Sequence, residues 1–115
     1  MALNLEIKSI ISPDLEYGVV PAEPDNCSVF VEAEIGEKGK EGAEVFSFTA
    51  VTPKFLASNL ETRWGRGYLI VSEFSWELIE SMLGRLLQHA RRDSWAEVAG
   101  ELSKELNWEF ENYQK

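Results

Sequence analysis

Residues 68–90 constrain the fold more than any other stretch of this 115-residue chain. Tyr68, Leu69, Ile70 and Val71 form a run of β-formers, and Gly65 and Gly67 before them punctuate a turn. Ser75 has the place of a helix N-cap, its hydroxyl free to accept from an amide two or three residues on. Phe74 before it and Ile79 after it have the spacing of a hydrophobic staple, which sets the angle between strand and helix. Trp76, Ile79, Met82, Leu83, Leu86, Leu87 and Ala90 then recur at helical spacing. Such a stripe needs a covering layer, so the rest of the chain is expected to be arranged as a sheet around this strand and helix.

The sheet is legible upstream. Leu3, Leu5 and Ile7 alternate with Asn4, Glu6 and Lys8, the period of a half-buried strand, which Pro13 and Asp14 stop. Residues 13–28 carry Gly18, Pro21, Pro24 and an Asp25-Asn26 pair and read as a long irregular loop, either functional or a plain crossing connection. Val29, Val31, Ala33 and Ile35 alternate with Phe30, Glu32 and Glu34 as a second strand. Residues 36–42 form a charged, glycine-bearing turn, and the chain returns over Glu44–Val51 with Phe46, Phe48 and Ala50 on one face. This turn is too long for a two-residue hairpin loop, and it lacks the lysine-hydroxyl ending of a phosphate loop.

Thr52-Pro53 reads as a cap followed by proline in the first turn, opening a short helix over residues 54–60 with Phe55, Leu56 and Leu60 inward. Trp64, between Arg63 and Arg66, is read as core or rim packing in preference to a base-stacking platform. Ser94 to Glu97 has the pattern of a capping box and opens a last helix with Trp95, Val98, Ala99, Leu102 and Leu106 inside. The tail from Trp108 to Tyr113 fits both a continued helical stripe and a strand, and the two readings stay open.

Composition bounds the function. A hydrophobic fraction of 44% in 115 residues supports one folded domain spanning residues 1–115. One cysteine, Cys27, rules out an internal disulfide and suits a reducing compartment. The N-terminal segment has the polar alternation of a strand and not the apolar run of a leader, and no stretch is long enough to span a bilayer, so a cytoplasmic protein is expected. Twenty acidic against eleven basic residues leave a net charge of −9. That disfavours nucleic acid and anionic membranes as partners and is compatible with a basic protein.

Chemistry finds little foothold. One histidine and one cysteine give no metal-ligand cluster, and neither a metal nor a cofactor is expected. Cys27 and His89 make a nucleophile and base only if the fold joins them, which their spacing does not suggest. No catalytic residue is assigned, although a carboxylate pair among twenty acids keeps a small carboxylate-based enzyme or small-ligand-binding domain as the alternative. Two groups of acids stand out instead. Glu97, Glu101 and Glu105, with Glu109 beyond, recur at i, i+4, where each like-charged pair destabilises a helix by roughly 0.2–0.5 kcal/mol. They read as a solvated face or as an acidic ridge for a basic partner. Glu32 and Glu34 share the strand face opposite Val31 and Ala33, with Glu37, Glu41 and Glu44 at or near the turn; they form a patch only if no helix covers that face.

Several short pieces in order carry a resemblance. They are Ile7-Lys8-Ser9 with Pro13-Asp14-Leu15, Ile35 to Gly39 leading to Gly42 to Phe46, Thr52 to Leu56, Trp95 to Ala99, and Trp108 to Tyr113. Together they make the chain similar to family eight of the immunity proteins of bacterial polymorphic-toxin systems, with Asn112 where that family prefers aspartate. The resemblance implies a small cytoplasmic protein that neutralises a cognate toxin domain, including toxins of contact-dependent growth inhibition. It implies inhibition by steric and electrostatic blocking, a partner that is basic if it acts on nucleic acid, and a monomer that pairs with that toxin. The toxin-binding acids are then Glu97, Glu101 and Glu105, or Glu32, Glu34, Glu37 and Glu41. The fold expected is α+β: an antiparallel sheet of about four strands with two C-terminal helices packed on one face.

Overall fold

In the computed structural model, which describes residues 1–110, strand β1 (Leu5–Ile11) pairs antiparallel with β2 (Ser28–Glu37), and β2 with β3 (Glu44–Val51). Helix α1 (Pro53–Ser58) then leads to β4 (Tyr68–Ile70), followed by α2 (Trp76–His89), α3 (Trp95–Leu102) and β5 (Asn107–Trp108). The fold is α+β, with the mostly antiparallel sheet and C-terminal helices that the sequence implies.

The sheet departs from expectation in one pairing. β4 runs parallel to β3, because residues 52–67 carry the chain over before it pairs again. The sequence points to β4 as the organising strand, but it is three residues long and lies at the margin; β2 and β3 are the middle. β4 meets Thr49 to Val51 and β5 meets Phe46 and Ser47, so two short strands share the edge of β3 that β2 does not occupy. Gly67 makes this possible. Its φ is +87°, and a Cβ there would lie 2.6 Å from the Asn107 amide nitrogen, so only glycine lets the chain enter β4 beside β5.

Side chains of β2 and β3 alternate as read. Val29, Val31, Ala33 and Ile35 face Phe46, Phe48 and Ala50 in one buried layer, covered by Ile79, Leu83 and Leu87 of α2 and by Val98, Ala99 and Leu102 of α3. In β1 the register shifts between Ile7 and Ser9, a bulge at Lys8 that reverses the phase of the strand. Leu5 and Ile7 face the core before it, and Ile10 does so after it, where strict alternation would have turned Ile10 outward. Met82, counted in the α2 stripe, is instead at the helix's open border.

The caps behave as read. Thr52, Ser75 and Ser94 accept from the amides of Phe55, Leu78 and Glu97, and Ser94 also donates to the Glu97 carboxylate. The long loop is tied down: the Trp76 indole donates to the Val19 carbonyl, Tyr17 donates to Glu80, and the Phe74 amide donates to Pro24. Two helix ends differ from expectation. α1 stops at Ser58, so Leu60 is off the helix and exposed. α3 stops at Leu102, and Trp108 pairs with β3 as a strand; residues 111–113 of the tail lie outside the described residues.

Candidate interaction surface

One face of the sheet holds the helices α2 and α3. The other is reached through the register. Partners across a ladder share a face, so Phe30, Thr49 and Tyr68 form one row of the second face, and Ile11, Glu32, Ser47 and Asn107 the next. Ser9, Glu34 and Val45 follow, then Glu6 beside Gly36. Apart from Gly36, which is buried against the Gly42 backbone, these residues are half-buried or exposed, in contrast to the sealed layer on the reverse. The condition attached to this patch is met over these rows.

The acids of the patch are not equivalent. Glu34 accepts from the Ser9 hydroxyl at 2.8 Å, and neither it nor Glu32 has a cationic partner among the described residues. Glu6 is paired with the bulged Lys8 at 2.9 Å, and that hydrogen bond holds its carboxyl below the usual range. Lys8 also donates to the Lys40 carbonyl, which fixes it at the hairpin. By the alternation of β2, Glu37 belongs to the helix-bearing side at the strand's end, where it pairs with Lys40 at 3.4 Å. Glu41 is exposed, and the neighbouring Lys38 and Lys40 offset the negative charge of this turn. Glu32 and Glu34 thus share the open face, while Glu37 does not join them there.

Glu44 has another task. One of its oxygens accepts from the indole nitrogens of both Trp95 and Trp108, each at 2.8 Å, and Trp108 stacks on Phe46. Glu109 turns back on the same edge, accepting from the Val45 amide at 2.6 Å. The expected ridge of Glu97, Glu101 and Glu105 along one helix does not form, because α3 ends before Glu105. Glu101 is engaged by Arg92 at 3.1 Å and Lys104 at 2.9 Å, and the hydrogen bond from Lys104 chiefly lowers its pKa. Glu97 remains exposed at the start of α3.

Cys27 and His89 do not meet. Cys27 is buried beside Pro24, which also binds the segment leading into α2, and burial pushes its thiol pKa up. His89 is at the far end of that 14-residue helix, which is about 20 Å long at 1.5 Å per residue. Among the described residues no group of three or more His, Cys, Asp or Glu side chains is placed to hold a metal ion, and no helix is long and apolar enough to cross a membrane.

A feature the sequence reading misplaced adjoins the open face. Trp64, expected to pack, is 92% exposed, and Leu60 and Ile70 are 85% and 62% exposed. With Phe55, Leu56 and Tyr68 they border a cleft of about 590 Å³ between α1, the following loop and β4. A second cleft, of about 320 Å³, lies between α2 and the sheet under Met82, Leu86 and Leu69. Among the described residues each is lined by one carboxylate, Glu61 in the first and Glu105 in the second, so these residues do not bring together the pair that acid–base chemistry needs.

A family model described as Immunity protein 8 matches residues 5–113. No curated protein and no solved structure matches the chain.

Proposed function

The chain belongs to the immunity protein 8 family, immunity proteins of polymorphic toxin systems that bind their cognate toxins, and from this premise we propose that its open sheet face is the surface that meets the toxin. The supporting observation is the pair Glu32 and Glu34, side by side on a face that α2 and α3 leave uncovered and with no cation bound to either among the described residues. Two carboxylates without a cation among the described residues attract a basic partner and orient its approach. Apolar neighbours Phe30, Val45 and the exposed Ile11 stand among them, giving the contact a desolvated component.

In this reading inhibition needs no bond made or broken. The protein occupies the toxin's surface and blocks its active site or its approach to substrate, in the cytoplasm where the toxin would act. A toxin that acts on nucleic acid presents a basic surface, and the −9 charge of the inhibitor then speeds the encounter. Glu97 and Glu105 are secondary in this account, and Glu101 is held by its own cations.

The test is charge reversal. Glu32→Lys with Glu34→Lys is expected to slow association with the cognate toxin domain by about tenfold or more at low salt, with a flattened salt dependence. Reversal at Glu97 and Glu105 is expected to change the rate about twofold at most. An unchanged association rate in the first variant overturns the electrostatic mechanism.

A further inference from the structure

The cleft beside α1 lies on the same surface as Glu32 and Glu34. Along β3 the open face runs from Val51 through Thr49 and Ser47 to Val45, paired on its flanks with Ile70, Tyr68, Glu32 and Glu34. Six residues separate the ends of this run, about 20 Å at 3.4 Å per residue. Val51 is buried although it faces away from α2 and α3, and it is not part of the main core cluster; α1 and the cleft's wall cover it. The apolar end and the acidic end therefore form one continuous surface, joined by Tyr68. That residue lines the cleft, and its ring carries the Arg63 guanidinium 4.7 Å from the centroid.

The dimensions fit one partner. A standard interface buries about 800 Å² on each side, a patch roughly 30 Å across, which spans both ends together. Charge complementarity sets the occupant: a partner drawn to Glu32 and Glu34 brings its adjoining surface over the cleft. Charged contacts of this kind govern encounter more than lifetime, while desolvated aromatic anchors, tryptophan above all, account for most of the affinity. Leu60 and Trp64 are the large apolar side chains most open to solvent around this cleft, and no element of the fold covers them among the described residues.

We propose that this cleft, walled by Leu60, Trp64 and Ile70, is the seat for an apolar side chain of the toxin domain, which reaches it from the basic surface that faces Glu32 and Glu34. The inference rests on the inhibitor reading and adds a division within it: the acids set how fast the complex forms, and the cleft sets how long it lasts.

The experiment uses the full chain and its cognate toxin domain, separated from the co-purified complex by denaturation and refolded. Association and dissociation are followed separately for the unaltered chain, for Leu60→Ser with Trp64→Ala, for Trp64→Phe, and for Glu32→Lys with Glu34→Lys. The double cleft variant is expected to dissociate about 100-fold faster, with association within about twofold of the original, an effect of hot-spot size. Trp64→Phe keeps most of the lifetime, because a phenyl ring still fills the wall. Both altered side chains are exposed, so an unchanged thermal midpoint separates lost contact from lost fold; if the midpoint drops, Trp64→Phe against Trp64→Ala at low temperature gives the comparison. A complex whose lifetime the double cleft variant leaves unchanged overturns this inference and spares the inhibitor reading. Failure of the unaltered chain to bind the toxin overturns both.

Discussion

The two faces of β2 and β3 are made by the same eighteen residues of backbone and have opposite characters. Toward the helices, Val31, Ala33, Ile35, Phe46, Phe48 and Ala50 are sealed from water. On the reverse, Phe30, Glu32, Glu34, Val45, Ser47 and Thr49 keep partial or full exposure. A residue step of one moves a side chain between them. The difference teaches that stability and recognition are separated by the pleat: the covered layer holds the fold at almost no exposure, and the reverse is left free to carry charge. Substitutions on the two faces should then differ in kind, not only in size.

The sharpest way to break this comparison is Phe46→Ala. Phe46 is fully buried between the Trp95 and Trp108 rings, so its truncation is expected to destabilise by about 3–5 kcal/mol. Phe30→Ala, on the half-buried reverse, should cost about 1 kcal/mol by lost burial. Chemical denaturation of both variants decides the matter; equal losses would mean that the reverse face is as closely packed as the core. Next comes Glu44→Ala, which leaves two indole N–H groups without their acceptor and is expected to cost about 1–3 kcal/mol. An acid on the open face should behave otherwise. Glu32→Lys with Glu34→Lys is expected to shift stability by no more than about 0.5 kcal/mol per site, while association with the toxin falls.

The smallest effect is in pH dependence. Tyr17 donates to Glu80, and this hydrogen bond raises the phenol's pKa above its ordinary value of 10.0. The folded chain therefore holds that proton more tightly than the unfolded one. The contact's contribution is whole below pH 10 and is lost as pH rises through the raised value. Glu6 and Glu101 have the opposite sign: their lowered values give a contribution present above the usual carboxylate range and lost on acidification through the folded pKa. Thermal midpoints measured from pH 9 to 11 should fall less steeply for Tyr17→Phe than for the unaltered chain.

What was legible in the sequence was what neighbours decide. Thr52, Ser75 and Ser94 cap their helices through amides three residues away, and alternation alone sorted Val31 from Glu32 and Phe46 from Val45. The failures all depend on contacts far along the chain. Nothing near Lys8 announces a bulge, which arises from pairing with Ile35 and Glu34 and turns Ile10 inward. α3 stops short although its stripe could continue, because Trp108 gains an acceptor on Glu44 and a stacking partner in Phe46. The grouping of Glu97, Glu101 and Glu105 fell with it. Core or rim packing for Trp64 and an inward Leu60 are what the sequence suggests, because apolarity is visible in a sequence and coverage is not. An uncovered sheet side is a condition that the sequence cannot test; the fold meets it for Glu32 and Glu34 and sends Glu37 to the other side.

The carboxylate shared by Trp95 and Trp108 has a kinetic consequence. It latches the last helix and the closing strand to one point, beside amides of Val45 and Glu109 that are bonded across the same edge. Those two amides should therefore take up deuterium together, in a partial opening that leaves β1, β2 and α2 protected. The C-terminal margin would come undone as a flap, at lower free energy than the melting of the whole.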